Sequence, residues 1–196
     1  MNINDIKKDA LDHNVPIVKD DTLDIILSVI KDNNYVNILE LGSAVGYSAC
    51  QMALLNKNIH IDTLEKNIDM YNKAVSNIRS LGLEDQINII NCPIEEFKTD
   101  KIYDFIFIDA AKSQYERYFD RFINNLSING KVLFDNMCFH GMINDIENIK
   151  NRNTRSLVKK IVKFRENMLN KDGFDIILDD IIGDGYMIVS RRKNGL

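Results

Sequence analysis

Two short apolar runs, Phe105-Ile106-Phe107-Ile108 and Val132-Leu133-Phe134, each stop at an acid. Asp109 closes the first, and Asp135-Asn136 close the second. Runs this short and this apolar read as strands buried on both faces, the pattern of a parallel sheet. Consecutive strands of such a sheet deliver their carboxyl-terminal residues to one edge, where α/β proteins place their ligands. Two carboxylates and a neutral amide converging there suit a hard, octahedral divalent cation such as Mg²⁺. Asp and Asn also end strands as plain turn residues, and the triad alone leaves that role open.

The remaining pattern supports such a sheet. From residue 35 onward, strand-like and helix-like segments alternate, as in an α/β fold with helices on both faces. Strands are expected at Asn37–Leu41, Ile59–Leu64, Ile87–Asn91, Phe105–Asp109 and Lys131–Asp135. Helices are expected at Gly46–Leu55, Ile68–Leu81, Gln114–Leu126 and Thr154–Leu169. Phe174–Leu178 and Tyr186–Ser190, separated by acids and glycines, read as a closing hairpin. Ile3–Asp12 and Leu23–Asp32 form an N-terminal helical cap over residues 1–34, ahead of a Rossmann-like core over 35–196. The 196 residues make one domain able to bury ~70% of its unfolded surface. Met137–Asn153 has no clear pattern, and a loop there would suit a substrate lid.

Composition narrows the setting. No apolar stretch reaches membrane-spanning length, and MNINDIKKDALDHN lacks the apolar core of a signal peptide, so a cytoplasmic protein is expected. Cys50, Cys92 and Cys138 are odd in number and lack CxxC spacing, which argues against a disulfide framework or a zinc site. A net charge of −4 gives no overall nucleic-acid signal, yet leaves room for a local basic face.

The run from Ile38 through Glu40, Gly42 and Gly46 to Ser48 passes from strand through glycine turn into helix. Gly42 permits a tight turn close to a ligand, and Gly46 lets the helix start near the strand. The spacing departs from GxGxxG, whose middle glycine makes room for a pyrophosphate, so a nicotinamide dehydrogenase is disfavoured. Glu65 stands where a ribose-binding acid is expected. With Glu40 it points to an adenosine-type ligand.

ELGSAVGYS, TLEKN, FIFIDAAK and LFDN, in that order, resemble the class I S-adenosylmethionine-dependent O-methyltransferases of the metal-dependent catechol and caffeoyl-CoA type. Within that family, IDAAKSQYERYF and DNMCFHG are most similar to bacterial tRNA 5-hydroxyuridine methyltransferases. The resemblance implies a seven-stranded sheet with its last strand antiparallel, and a homodimer. It assigns Val18 and Ser48 to the methionine end of S-adenosylmethionine, Glu65 to the ribose, and Cys92 and Pro93 to the adenine. It assigns Asp109, Asp135 and Asn136 to Mg²⁺, with Asp109 also serving the cofactor, and Lys112 to general-base catalysis. Cys92 and Val18 depart from the family's usual residues at their positions.

The resemblance implies conversion of 5-hydroxyuridine to 5-methoxyuridine at the tRNA wobble position. The base carries a hydroxyl beside a carbonyl and can offer a metal two oxygens, as a catechol does. Lys150, Arg152, Arg155, Lys159, Lys160, Lys163 and Arg165 form a run without an acid. Arg152, Arg155, Lys159 and Lys160 are the candidate contacts to an anticodon stem-loop. A solvated helix face is the plain reading of the same run. Alternatives are a small catechol-like or phenolic acceptor, a dehydrogenase, or a catalytically silent RNA-binding protein. Tyr115 and Tyr118 suit either core or substrate platform, and His140 either loop or substrate contact.

Overall fold

The computed structural model describes residues 2–193. Seven strands form one sheet: β1 (Asn37–Leu41), β2 (His60–Leu64), β3 (Ile87–Ile90), β4 (Tyr103–Ile108), β5 (Leu126–Phe134), β6 (Phe174–Asp179) and β7 (Tyr186–Arg191). Their spatial order is β3-β2-β1-β4-β5-β7-β6. The first five pair in parallel, while β7 runs antiparallel to both β5 and β6, so the expected reversed last strand is present.

Alternation along the strands explains the layers. Ile38, Phe105, Phe107 and Leu133 face one core, shared with Ile6 and Ala10 of α1 (Ile3–Asp12) and with Leu23, Ile26 and Ile30 of α2 (Asp20–Asp32). Tyr47, Ala49 and Cys50 of α3 (Tyr47–Ala53) and Ile78 of α4 (Ile68–Ser80) join the same core. Leu39, Leu41, Ile106, Ile108 and Phe134 face the other core. There they meet Tyr115 and Phe119 of α5 (Tyr115–Phe122) and Phe164 and Met168 of α6 (Arg152–Leu169). Each Leu, Ile, Phe or Met among them contributes roughly 1.5–3 kcal/mol on full burial. The N-terminal helices are thus continuous with the main core.

Several boundaries differ from the sequence pattern. The helix expected to reach Leu126 ends at Phe122, and β5 begins at Leu126 rather than Lys131. Tyr103 pairs with Leu126 while Phe105 already pairs with Lys131, so β5 carries extra residues as a bulge. Gly130 sits within that irregular stretch, where a Cβ would come within 2.8 Å of the Asp104 carbonyl oxygen. The polar sequence Ser127-Ile128-Asn129-Gly130 hides the strand, because no alternation survives a bulge. The segment after Asn136 is a loop with two 3₁₀ turns, Met142–Asn144 and Ile146–Asn148.

Candidate active site

Register sets the site. Leu41 pairs with Ile108, and Ile108 with Phe134, so the next residues, Gly42, Asp109 and Asp135, leave the sheet in one row. Backbone bonds extend the row: Asp109 N donates to Leu41 O at 3.1 Å and Asp135 N to Ile108 O at 3.3 Å. A cavity of about 730 Å³ opens above this edge. Gly42, Ala44, Glu65 and Cys92 line one end, and Asp109, Lys112, Asp135, Asn136 and His140 line the other. The two acid-terminated runs therefore converge on one space.

Gly42 has φ +103, and a Cβ there would sit 2.2 Å from the Asp109 carbonyl oxygen. The turn at this end of the cavity is therefore locked against the end of β4. Glu65 accepts from Ala44 N at 2.9 Å and Asn67 N at 2.7 Å, which fixes its carboxylate at the cavity wall. Ser43 Oγ in the same turn is buried without a hydrogen-bond partner. Val18, Glu40, Gly46, Ser48 and Pro93 do not line the cavity. Val18 is buried between the lining residues Ile17 and Lys19. Gly46 begins α3 in the left-handed region, against Ala74 of α4. Ser48 and Thr63 both donate to the fully buried Glu40.

Burial raises the Glu40 carboxyl to about 7, against the hydroxyl hydrogen bonds that favour the anion. A raised carboxyl keeps its proton in the fold, so its stability contribution is complete below about pH 4.5 and is lost as pH rises through about 7. Wild type should lose about 3 kcal/mol more than Glu40→Gln across that window. Urea unfolding of both proteins at a series of pH values measures this difference, and parallel curves would contradict it.

At the other end of the cavity, Asp135 is 2% exposed. Burial first, and the charge of Asp109 second, push its carboxyl up to about 7, opposed by the Asn136 N–H and by Lys112. Burial also raises Asp109, while Lys112 Nζ, 3.7 Å from Asp109 Oδ1, acts in the opposite direction. Two neighbouring acids, Asp135 buried and Asp109 half-buried, are the electrostatic complement of a cation. Asn136 takes the left-handed conformation, φ 59. Its Nδ2 lies 3.4 Å from Asp184 Oδ2, so its carbonyl oxygen is not used in that bond. Among the described residues, no group of three or more His, Cys, Asp and Glu could hold a metal ion. The fit to a hard cation therefore rests on two carboxylates plus one amide oxygen.

Two contributors were invisible in sequence. Thr22, at the start of α2, places Oγ1 3.5 Å from Asp135 Oδ1. Asp184, 5% exposed in the β6–β7 connection, accepts from His140 N at 2.6 Å and holds Asn136. Phe139, His140 and Gly141 are consecutively left-handed, a strained turn that this bond helps hold. No local signal marks either residue, since a threonine opening a helix and an aspartate in a hairpin loop are ordinary. Tyr115 is core: it packs on Phe134 and Phe164 and donates to the Asp135 carbonyl. Tyr118 lines the cavity.

The basic run divides. Arg165 is consumed structurally, on Met137 O and Asp180 Oδ2. Arg155 places both Nε and Nη2 on Ile149 O. Arg152, Lys159, Lys160 and Lys163 remain exposed on α6.

Residues 4–193 match the family described as O-methyltransferase. This chain belongs to the O-methyltransferase family. A caffeoyl-CoA O-methyltransferase of Populus kitakamiensis is 28% identical over 166 residues, covering 81% of this chain and 71% of the relative. A Staphylococcus aureus structure, provisionally assigned as a caffeoyl-CoA O-methyltransferase, superposes with TM-score 0.93 at 36% identity, covering 98% of this chain and 93% of that one. A Bacillus cereus O-methyltransferase solved with S-adenosylhomocysteine shares the fold at TM-score 0.81 and 23% identity, over 97% of this chain and 90% of that one. Family membership decides against the dehydrogenase alternative, in line with the missing GxGxxG. No helix among the described residues of this O-methyltransferase is long and apolar enough to cross a membrane.

Proposed function

We propose that this O-methyltransferase uses S-adenosylmethionine and Mg²⁺ to convert 5-hydroxyuridine to 5-methoxyuridine at the tRNA wobble position. The observation that carries this reading is the single cavity in which Glu65 and the Gly42 turn face Asp109, Asp135 and Asn136. Glu65, pinned by two backbone amides, presents acceptor oxygens suited to a ribose diol. The unpaired Ser43 Oγ adds a polar atom to the donor-end turn. Caffeoyl-CoA relatives and neighbours solved with S-adenosylhomocysteine support the same donor chemistry.

At the other end, Asp109, Asp135 and the Asn136 amide oxygen would hold the cation. When bound there, it lowers the pKa of an acceptor hydroxyl and fixes adjacent oxygens. Lys112, 3.7 Å from Asp109 Oδ1 and lining the same cavity, would take or hold the hydroxyl proton. The cavity wall aligns acceptor and donor, and alignment alone can supply several kcal/mol of barrier reduction. An anticodon base is already unpaired, so presenting it costs little. A small catechol would satisfy the same oxygens, and the basic face of α6 favours the RNA.

Nucleoside mass spectrometry of tRNA from cells lacking the gene tests the reading. The expected result is loss of 5-methoxyuridine with accumulation of 5-hydroxyuridine. Unchanged 5-methoxyuridine would refute the RNA substrate.

A further inference from the structure

Outside the cavity, α6 carries a surface groove of about 440 Å³ walled by Arg152, Arg155, Ser156, Lys159, Lys160 and Lys163. Five of these six residues are cationic and none is acidic, on a chain whose net charge is −4. Their spacing places them on one stripe of the helix. The apolar stripe of Val158, Ile161, Phe164 and Met168 is buried beneath.

An ordinary solvated helix face mixes signs, because like charges three or four residues apart repel by a few tenths of a kcal/mol per pair. Here Arg155, Lys159 and Lys163 follow one another at four-residue steps, and Lys160 and Lys163 are three apart. Among the described residues, Lys159 alone of the groove's cations has a carboxylate partner, Glu147 at 4.0 Å. From Arg152 to Lys163 the stripe runs about 16 Å along the axis. One strand of a DNA duplex presents about four or five phosphates over that length, which sets the scale for a nucleic-acid backbone. The helix that carries the groove also reaches the site's surroundings: α6 packs against the 3₁₀ turns Met142–Asn144 and Ile146–Asn148, and against the Lys112–Gln114 turn, whose Lys112 lines the cavity.

We propose that this groove seats the sugar–phosphate backbone flanking the modified nucleotide, with Arg152, Lys159, Lys160 and Lys163 neutralising phosphates. The assignment rests on the RNA reading above and adds the surface that grips the acceptor. Arg155 has a separate task. With two guanidinium nitrogens on Ile149 O, it anchors the end of the His140-bearing loop to the gripping helix. Backbone seated in the groove is thereby tied mechanically to the loop that closes the acceptor end. Glu147 is a weak internal competitor. It is exposed, and such a pair is worth little, so an arriving phosphate displaces it from Lys159.

The test is fluorescence polarisation of a labelled anticodon stem-loop RNA with the full chain and S-adenosylhomocysteine, across a potassium chloride series. Wild type should give a log–log salt slope of about −3. Lys160→Gln combined with Lys163→Gln should make the slope shallower by about 1.5 and weaken binding roughly tenfold. Calorimetric binding of S-adenosylhomocysteine reports whether that variant is folded. Glu147→Gln, which removes the competitor, should bind the RNA about twofold more tightly.

A wild-type slope retained in the double variant overturns the groove and leaves the methylation reading intact, since tRNA nucleoside analysis judges that independently. Competition by equimolar coenzyme A would reassign the groove to a nucleotide-tagged small acceptor and overturn the proposal. Absence of RNA binding by wild type overturns it as well.

Discussion

Asp135→Ala is expected to lower turnover by about 10³-fold or more, the scale of losing a Lewis-acid site. Affinity for S-adenosylhomocysteine should stay near wild type, because the donor-end residues Glu65 and Ala44 do not touch Asp135. The substitution removes one of the two carboxylates under the acceptor and the group that Thr22 and the Asn136 N–H approach. Misfolding is separable from loss of chemistry. The Asp135 carboxyl is raised to about 7 by burial, so above that pH its removal relieves a buried charge in the metal-free protein. Denaturant unfolding should find the variant no less stable there. Turnover undiminished in the variant, or in wild type with a strong chelator, would sink the cation assignment.

Gly42→Ala should be severely damaging. The added methyl meets the Asp109 carbonyl oxygen at 2.2 Å, and the contact is backbone, so no side chain can swing aside. The φ of +103 excludes relaxation within the turn for an L-residue. Relief requires separating the ends of β1 and β4, the register that aligns Gly42, Asp109 and Asp135. The expected cost is about 3–5 kcal/mol, with loss of donor binding, measured by denaturant unfolding and calorimetry. Gly82→Ala is the contrast. Its Cβ would meet nothing within 4 Å, so only the strain of φ +66 remains, about 1 kcal/mol.

The sequence made the row of strand ends legible because short apolar runs ending in acids have few alternatives. The glycine turn was legible for the same reason: backbone geometry restricts which residue can stand there. What stayed hidden was long-range pairing. Thr22 reaches Asp135 across 113 residues, and Asp184 reaches Asn136 across 48. No periodicity encodes such meetings. The basic run was visible as charge, yet spacing could not tell Arg165, spent on Met137 O, from Lys160 facing solvent. The start of β5 escaped because a bulge erases the two-residue rhythm by which strands are recognised.

The antiparallel β7 turns the chain back so that the Asp179–Gly185 connection arrives at the same edge as the parallel strand ends. On the proposed reading, one stretch of polypeptide, Gly42 to Cys92, would wall the methyl source. A later one, Asp135 to His140, would with Lys112 and the returning hairpin wall the group to be methylated. Asp109 is the shared post between them. An enzyme divided this way can drift toward new acceptors by remodelling the loop beyond Asn136 and one hairpin, while the earlier stretch and the strand-end row of Asp109, Asp135 and Asn136 keep the reaction itself unchanged.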